Sequence, residues 1–267
     1  MIGGKYVAVV LPAYNAASTL QRTVAELDRH VADDILLVDD GSTDSTTNIA
    51  KRLGLHVVEH QHNLGYGANQ KTCYRTALAR GAEVVVMVHP DYQYAPRLMP
   101  SLAAMIASQE YDVALGSRIL GRGALHGGMP LYKYVANRAL TASENLLLGV
   151  KLSEFHTGYR AYSKEALTTI DYAALSDRFV FDNQILAQAI AAGFRIGELS
   201  CPTRYATDSS SIGFAASTRY GLGVLATGIA FRLHVWGWRT CRYLSTAPVS
   251  KDVPLPECTS KTRQRHP

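Results

Sequence analysis

Three polar side chains at alternate positions, His89, Asp91 and Gln93, follow directly on the strand-like run Glu83-Val84-Val85-Val86-Met87-Val88. An imidazole, a carboxylate and an amide are groups that hold a divalent cation or meet phosphate. Pro90 disfavours the helical region for His89, and an extended backbone then turns the three side chains to one face. A buried strand ending in such a cluster places it at the sheet edge where open α/β folds bind ligands. Two comparable loops occur upstream: Pro12-Ala13-Tyr14-Asn15 after one apolar run, and Asp39-Asp40-Gly41-Ser42-Thr43-Asp44 after another. A chance polar cluster in a loop is the competing reading for each loop taken singly.

Bringing such loops to one edge requires repeated strand–helix units. Apolar runs at 5–11, 35–38, 55–60, 83–88 and 111–116 read as strands, and helical spacing follows at 16–30, 44–53, 67–80 and 96–108. Ser42 or Asp44 is placed to cap the second of these helices. Continuously apolar strands alternating with helices predict an α/β fold with a mostly parallel central sheet and helices on both faces. Beyond Ser117 the pattern changes. Residues 118–130 are glycine-rich and read as a mobile loop, 134–148 and 181–192 as helices, and 158–162 and 195–199 as strands. The expected division is an α/β domain over 1–212, an apolar and basic helix within 213–246, and a disordered tail over 247–267.

A chain of 267 residues can bury one large core, and its composition (47% hydrophobic, 18% charged) is that of a globular protein. Met1-Ile2-Gly3-Gly4-Lys5 runs straight into the first strand, so no signal peptide is expected. Cys73, Cys201, Cys241 and Cys258 lack metal or redox spacing, which suits a reducing cytoplasm. The net charge of +5 resides in one stretch, 209–251, where Arg219, Arg232, Arg239, Arg242 and Lys251 stand without an acidic residue. Such a bias favours an anionic partner, although a solvated basic face is the commoner outcome. No nucleic-acid partner is expected.

Taken in order, Val10-Leu11-Pro12-Ala13-Tyr14-Asn15, Leu37-Val38-Asp39-Asp40-Gly41-Ser42-Thr43-Asp44, Asn63-Leu64-Gly65-Tyr66-Gly67-Ala68 and His89-Pro90-Asp91 resemble glycosyltransferase family 2. These are inverting enzymes with a GT-A fold, and His89-Pro90-Asp91 stands where the family has aspartate-x-aspartate. Further on, Thr157-Gly158-Tyr159-Arg160-Ala161-Tyr162-Ser163 is similar to the dolichyl- or polyprenyl-phosphate mannosyl- and glucosyltransferase branch. The match spans residues 6–205. Each motif alone is weak, but their joint order is specific.

The resemblance implies a UDP- or GDP-hexose donor. Contacts to it are expected from Pro12, Ala13, Tyr14, Asn15, Asp39, Asp40, Gly67, Asp91, Arg118, Arg160 and Arg204. Asp39 would accept from the base imide, and residues 12–14 would wall the base. His89, Asp91 and Gln93 would hold a divalent cation bridging the phosphates. One carboxylate beside an imidazole and an amide is a softer, less negative set than two carboxylates, so Mn2+ is expected ahead of Mg2+. The alternative is that His89 bonds phosphate directly. Arg118 and Arg160 have the guanidinium fork suited to phosphate, with a structural carboxylate as the alternative partner for either, and for Arg160 no less expected than phosphate. Arg204 with Ser209-Ser210-Ser211 resembles a segment that closes on the diphosphate; the lysine usual after it is not evident, and Arg219 is the nearest basic residue.

An inverting displacement needs no covalent nucleophile. A hydroxyl acceptor needs a general base, for which Glu154 and then Asp182 are the candidates. A phosphate acceptor needs none, its second pKa being about 6. The basic C-terminal stretch, Trp236 and Trp238, and the 157–163 match favour polyprenyl phosphate; a saccharide or small-molecule acceptor stays open. Arg232 and His234 interrupt the apolar run before the roughly 20 residues that a membrane span requires. The helix therefore reads either as core packing or as lying on acidic lipid, peripheral on the inner face of the plasma membrane. Two rivals stand beside this reading. A nucleotidyltransferase should carry a glycine-rich loop where Pro12-Ala13-Tyr14-Asn15 stands, and a catalytically silent sugar-nucleotide-binding module would accommodate His89.

Overall fold

The computed structural model describes residues 1–121, 123–204 and 214–244. Seven strands form one sheet: β1 (Val7–Ala13), β2 (Asp34–Asp39), β3 (His56–Glu59), β4 (Val84–Met87), β5 (Val113–Ser117), β6 (Arg160–Ser163) and β7 (Ile196–Ser200), in the order β3-β2-β1-β4-β6-β5-β7. All neighbours are parallel except β6, which runs antiparallel to both β4 and β5. The mostly parallel sheet expected from the sequence is therefore present.

The period of two explains the layering. On β1, Val7, Val9 and Leu11 face one core, and Ala8 and Val10 face the other. The first core is closed by α1 (Leu20–Ala25) and α4 (Met99–Ala107). The second is closed by α3 (Tyr66–Ala79), α7 (Lys164–Thr169) and α8 (Phe181–Ala191). A strand buried on both faces has no polar position to spare, which is why these runs read as continuously apolar.

The remaining helices are α2 (Thr46–Arg52), α5 (Gly123–His126), α6 (Leu131–Leu148) and α9 (Phe214–Val235). The helix α9 packs along α6: Gly228 lies against Leu147, and Arg232 Nη2 donates to Leu146 O at 2.6 Å. Among the described residues no helix is long and apolar enough to cross a membrane. The first helix is shorter than the 16–30 spacing suggests: beyond Ala25 the Glu26 and Leu27 N–H groups bond three residues back, to Thr23 O and Val24 O, and Asp28 Oδ1 then accepts the His30 N–H in a separate turn. Conversely, α7 has a capping signal in Ser163, whose Oγ accepts from the Ala166 N–H at 3.0 Å. The Ser209-Ser210-Ser211 loop and the 247–267 tail lie outside the described residues.

Candidate active site

Because β1, β2 and β4 are parallel, the loops after them leave from one edge. The end of β1 is registered on β2, Ala13 opposite Asp39, and Asn69 Nδ2 ties the two by donating to Val38 O (3.1 Å) and Ala13 O (3.3 Å). Pro12 and Ala13 are buried, whereas Tyr14 is 53% exposed and stands at the rim. Asn15 takes a left-handed backbone (φ 49°); its N–H donates to Ser42 Oγ (2.8 Å) and its Oδ1 accepts from the Thr43 N–H (2.9 Å). Its side chain thus joins the first two loops.

The paired aspartates divide. Asp39 Oδ2 accepts the Ser42 N–H at 2.9 Å, and Asp39 Oδ1 is buried with no partner. An unmet buried acceptor costs on the order of 1–3 kcal/mol, so it is an atom that a donor from a bound ring would relieve. Asp40 points the other way: its oxygens accept from His60 Nδ1 (2.7 Å), Leu64 N–H (2.9 Å) and Gly65 N–H (3.0 Å). Both Asp40 oxygens are thereby engaged in holding the 60–65 loop. Gly67 is held close to a neighbouring loop, its N–H donating to Asp177 O at 2.8 Å. A Cβ there would collide with Ser176 O and Phe181, so its close approach is to the chain's own backbone.

The 89–93 segment is not extended. Tyr92 has φ 59°, and Asp91 Oδ1 accepts the Gln93 N–H at 3.1 Å, closing a turn that competes with strand geometry. The alternation that would put Gln93 on one face with His89 and Asp91 is lost. His89 itself is fixed. Its ring stacks on Tyr66 (centroids 5.5 Å, 6° between planes) and its Nε2 lies 3.1 Å from Tyr66 Oη. Tyr66 gives its single hydroxyl proton to Asp182 Oδ2 at 2.7 Å, so His89 must donate through Nε2. The lone pair of a neutral ring is then on Nδ1. Among the described residues neither His89 Nδ1 nor Asp91 Oδ2 has a partner, and one imidazole nitrogen with one carboxylate oxygen fits part of a divalent cation's shell.

The loop before β6 is the densest polar region. Glu154 is fully buried; Arg118 donates to it through its backbone N–H (2.8 Å), Nε (2.8 Å) and Nη2, and Asn137 Nδ2 donates at 2.9 Å. Burial pushes this carboxyl up, but the Arg118 guanidinium outweighs that effect and holds it below the usual range. Glu154 is thus sealed from solvent, with both oxygens engaged in holding Arg118 and Asn137. Asp182 is similarly committed, to Tyr66 and to Gln70 Nε2 at 3.0 Å. Arg160 is fully buried and donates to Thr157 O (2.7 Å), Asp182 O (2.7 Å) and Phe155 O (2.8 Å). These bonds make it a staple of the 155–157 loop, in keeping with the structural alternative weighed for it. Arg204 lies over the Tyr92 ring at 4.7 Å with Nη1 3.8 Å from Glu26, and its N–H donates to Gln93 O at 3.0 Å.

Residues 8–170 match the sequence profile of glycosyl transferase family 2. The chain belongs to that family. It is a glycosyltransferase, and it is 30% identical over 200 residues to a polyprenol monophosphomannose synthase of Mycolicibacterium smegmatis, covering 72% of this chain and 74% of that protein. It is 29% identical over 226 residues to a UDP-N-acetylglucosamine–dolichyl-phosphate N-acetylglucosaminyltransferase of Methanococcus voltae, covering 78% and 90%. Its fold is that of glucosyl-3-phosphoglycerate synthase from Mycobacterium tuberculosis, solved with Mg2+ and UDP (TM-score 0.67, 20% identity, 85% and 79% covered) and with Mn2+, UDP and phosphoglyceric acid (TM-score 0.64, 19% identity, 86% and 79% covered).

Several residues of this glycosyltransferase's site have no role in the sequence reading. Tyr66 lies within a quoted motif, yet only the fold shows its hydroxyl between His89 and Asp182. Gln70, one helical turn beyond Tyr66 on α3, meets the same carboxylate, and that spacing was the available signal. Gly158 leaves the space that the His89 ring fills.

Proposed function

We propose that this glycosyltransferase moves a hexose from UDP- or GDP-hexose to a polyprenyl phosphate, with inversion, in one displacement. The observation that carries the reading is the unpartnered buried Oδ1 of Asp39 at the sheet edge from which the loop bearing His89 and Asp91 also departs. Asp39 accepts from the base imide, Tyr14 covers the base, and the diphosphate extends toward residues 89–91. A divalent cation on Asp91 and His89, Mn2+ ahead of Mg2+, would neutralise charge on the departing diphosphate. A phosphate oxygen of the acceptor attacks the anomeric carbon as the bond to the diphosphate breaks. That oxygen is already anionic near neutrality, so no residue takes its proton. Glu154 and Asp182 serve by holding Arg118 and Tyr66.

Two features support a lipid acceptor. The relatives above are named for transfer to polyprenol or dolichyl phosphate. The paired helices α6 and α9 also expose Leu131, Tyr132, Leu222 and Ile229, with Trp236 and Trp238 just beyond α9, Arg219 in its second turn and Arg239 four residues past its end. We read this face as resting on acidic lipid. The test is transfer of labelled sugar from UDP- and GDP-hexoses, with Mn2+ or Mg2+, to short-chain polyprenyl phosphate or to free saccharides. A metal-dependent, organic-extractable product is expected. Product formed on saccharides alone would overturn the acceptor, and donor binding without turnover would leave a binding module.

A further inference from the structure

Four side chains close a buried ring behind the 154–158 loop. His156 Nδ1 lies 2.8 Å from Tyr220 Oη; Tyr220 donates to Asn183 Oδ1 at 2.7 Å; Asn183 Nδ2 donates to Glu144 Oε1 at 2.6 Å. Glu144 Oε2 approaches His156 Nε2 to 3.2 Å, a contact that closes the circuit by proximity without the alignment of a hydrogen bond. Glu144 belongs to α6, Asn183 to α8 and Tyr220 to α9, so the ring joins three helices to the loop. Glu144 is 2% and Asn183 1% exposed.

The last of these contacts is the informative one. Glu144 Oε2 and His156 Nε2 are both buried without a hydrogen-bond partner although they lie 3.2 Å apart, and a carboxylate facing a bare imidazole nitrogen would set lone pair against lone pair. Tyr220 gives its proton to Asn183, so His156 donates through Nδ1 and Nε2 is left to be satisfied. A single proton between Oε2 and Nε2 satisfies every member, and the ring is then neutral wherever that proton sits. Burial settles the location. Desolvation raises the Glu144 carboxyl to about 8 against the opposing Asn183 bond and Arg160, and lowers the His156 imidazole to about 4 against Glu154. The other charges acting on the ring are Arg118 and Asp182.

We infer that this ring is a positioning device in which a protonated Glu144 fastens His156, and with it the 154–158 segment, to α6, while Tyr220 ties the same imidazole to the docked helix α9. The inference rests on the reading that this segment borders the reacting centre. His156 O accepts Arg118 Nη2 at 2.7 Å, and Gly158, two residues on, seats His89. Releasing His156 disturbs both.

Glutamine at 144 tests this directly, since it offers Oε1 to Asn183 and an N–H to His156 Nε2 without an ionisable proton. Glu144→Ala is expected to lower kcat about tenfold, and Glu144→Gln to recover it to within about threefold of wild type. Tyr220→Phe, which opens the ring at another point, should resemble Glu144→Ala. Nitrogen NMR should show His156 as the neutral Nδ1–H tautomer near pH 7 in both wild type and Glu144→Gln. Stability supplies the pH signature. Glu144 holds its proton more tightly when folded, so its contribution is full below its ordinary value of 4.5 and is lost as pH rises to about 8. His156 opposes that loss between about 4 and its ordinary 6.5, leaving the net decline between about 6.5 and 8. Wild type should weaken relative to Glu144→Gln across that window. Glu144→Gln as damaging as Glu144→Ala, or a His156 imidazolium at pH 7, would overturn the ring. Absence of transfer by wild type would instead count against the proposed function, because the NMR signature needs no substrate.

Discussion

Gly158 and His89 occupy one space: a Cβ on residue 158 would fall within van der Waals contact of Nε2 and Cδ2 of the imidazole. Gly158→Ala should therefore push the ring off Tyr66. Overpacking of this kind costs about 1–3 kcal/mol, and misplacing a group beside the cation should lower kcat/KM by roughly tenfold or more. Because the clash needs both partners, Gly158→Ala combined with His89→Ala should unfold at higher urea than Gly158→Ala alone. Strictly additive losses would show that the two side chains do not meet.

The sequence leaves Arg160 open between phosphate and a structural partner, and in the fold it is an internal staple. Arg160→Met leaves three carbonyls without their donor and removes the positive charge 3.9 Å from the Asp182 carboxylate, so a loss of about 3–5 kcal/mol in denaturant unfolding is expected. A variant of wild-type stability with a raised donor KM would restore the phosphate role.

His89 sets the metal preference in this account. His89→Asp adds a hard oxygen, so Mg2+ should support a larger fraction of the Mn2+ rate than in wild type. An unchanged ratio of the two rates would remove His89 from the cation.

The lipid-facing surface is tested best where no internal contact is broken. Arg232 donates to Leu146 O and clasps α6, so Arg239 and Trp238 are the better positions; Trp238 is 76% exposed. Arg239→Glu with Trp238→Ala should reduce sedimentation with vesicles rich in anionic lipid, each basic residue near such a surface contributing about 1 kcal/mol. Partitioning equal to wild type would detach this face from the membrane.

Much of this architecture was legible because buried parallel strands have no choice of composition. The runs around β1, β2, β4 and β5 announced themselves, and their order implied that Tyr14, Asp39 and Asp91 would share an edge. What stayed hidden depends on where side chains turn. Asp39 and Asp40 are adjacent and chemically identical, yet one keeps an open oxygen and the other is consumed by His60 and two amides. The bend at Tyr92 was illegible because Pro90 constrains only the residue before it. Glu144 lies on an ordinary amphipathic helix, and its partners come from positions 156, 183 and 220, so no local pattern could reveal it.

The central claim is that Asp39 and Asp91 serve one ligand at opposite ends, base and diphosphate. Calorimetric titration of UDP and GDP into wild type, Asp39→Asn and Asp91→Asn, each with and without Mn2+, tests it most directly. Asp39→Asn should weaken binding of the preferred nucleotide by about tenfold or more whether or not the metal is present, whereas Asp91→Asn should abolish only the increment that Mn2+ adds. Wild-type affinity and a full Mn2+ increment in both variants would contradict the account.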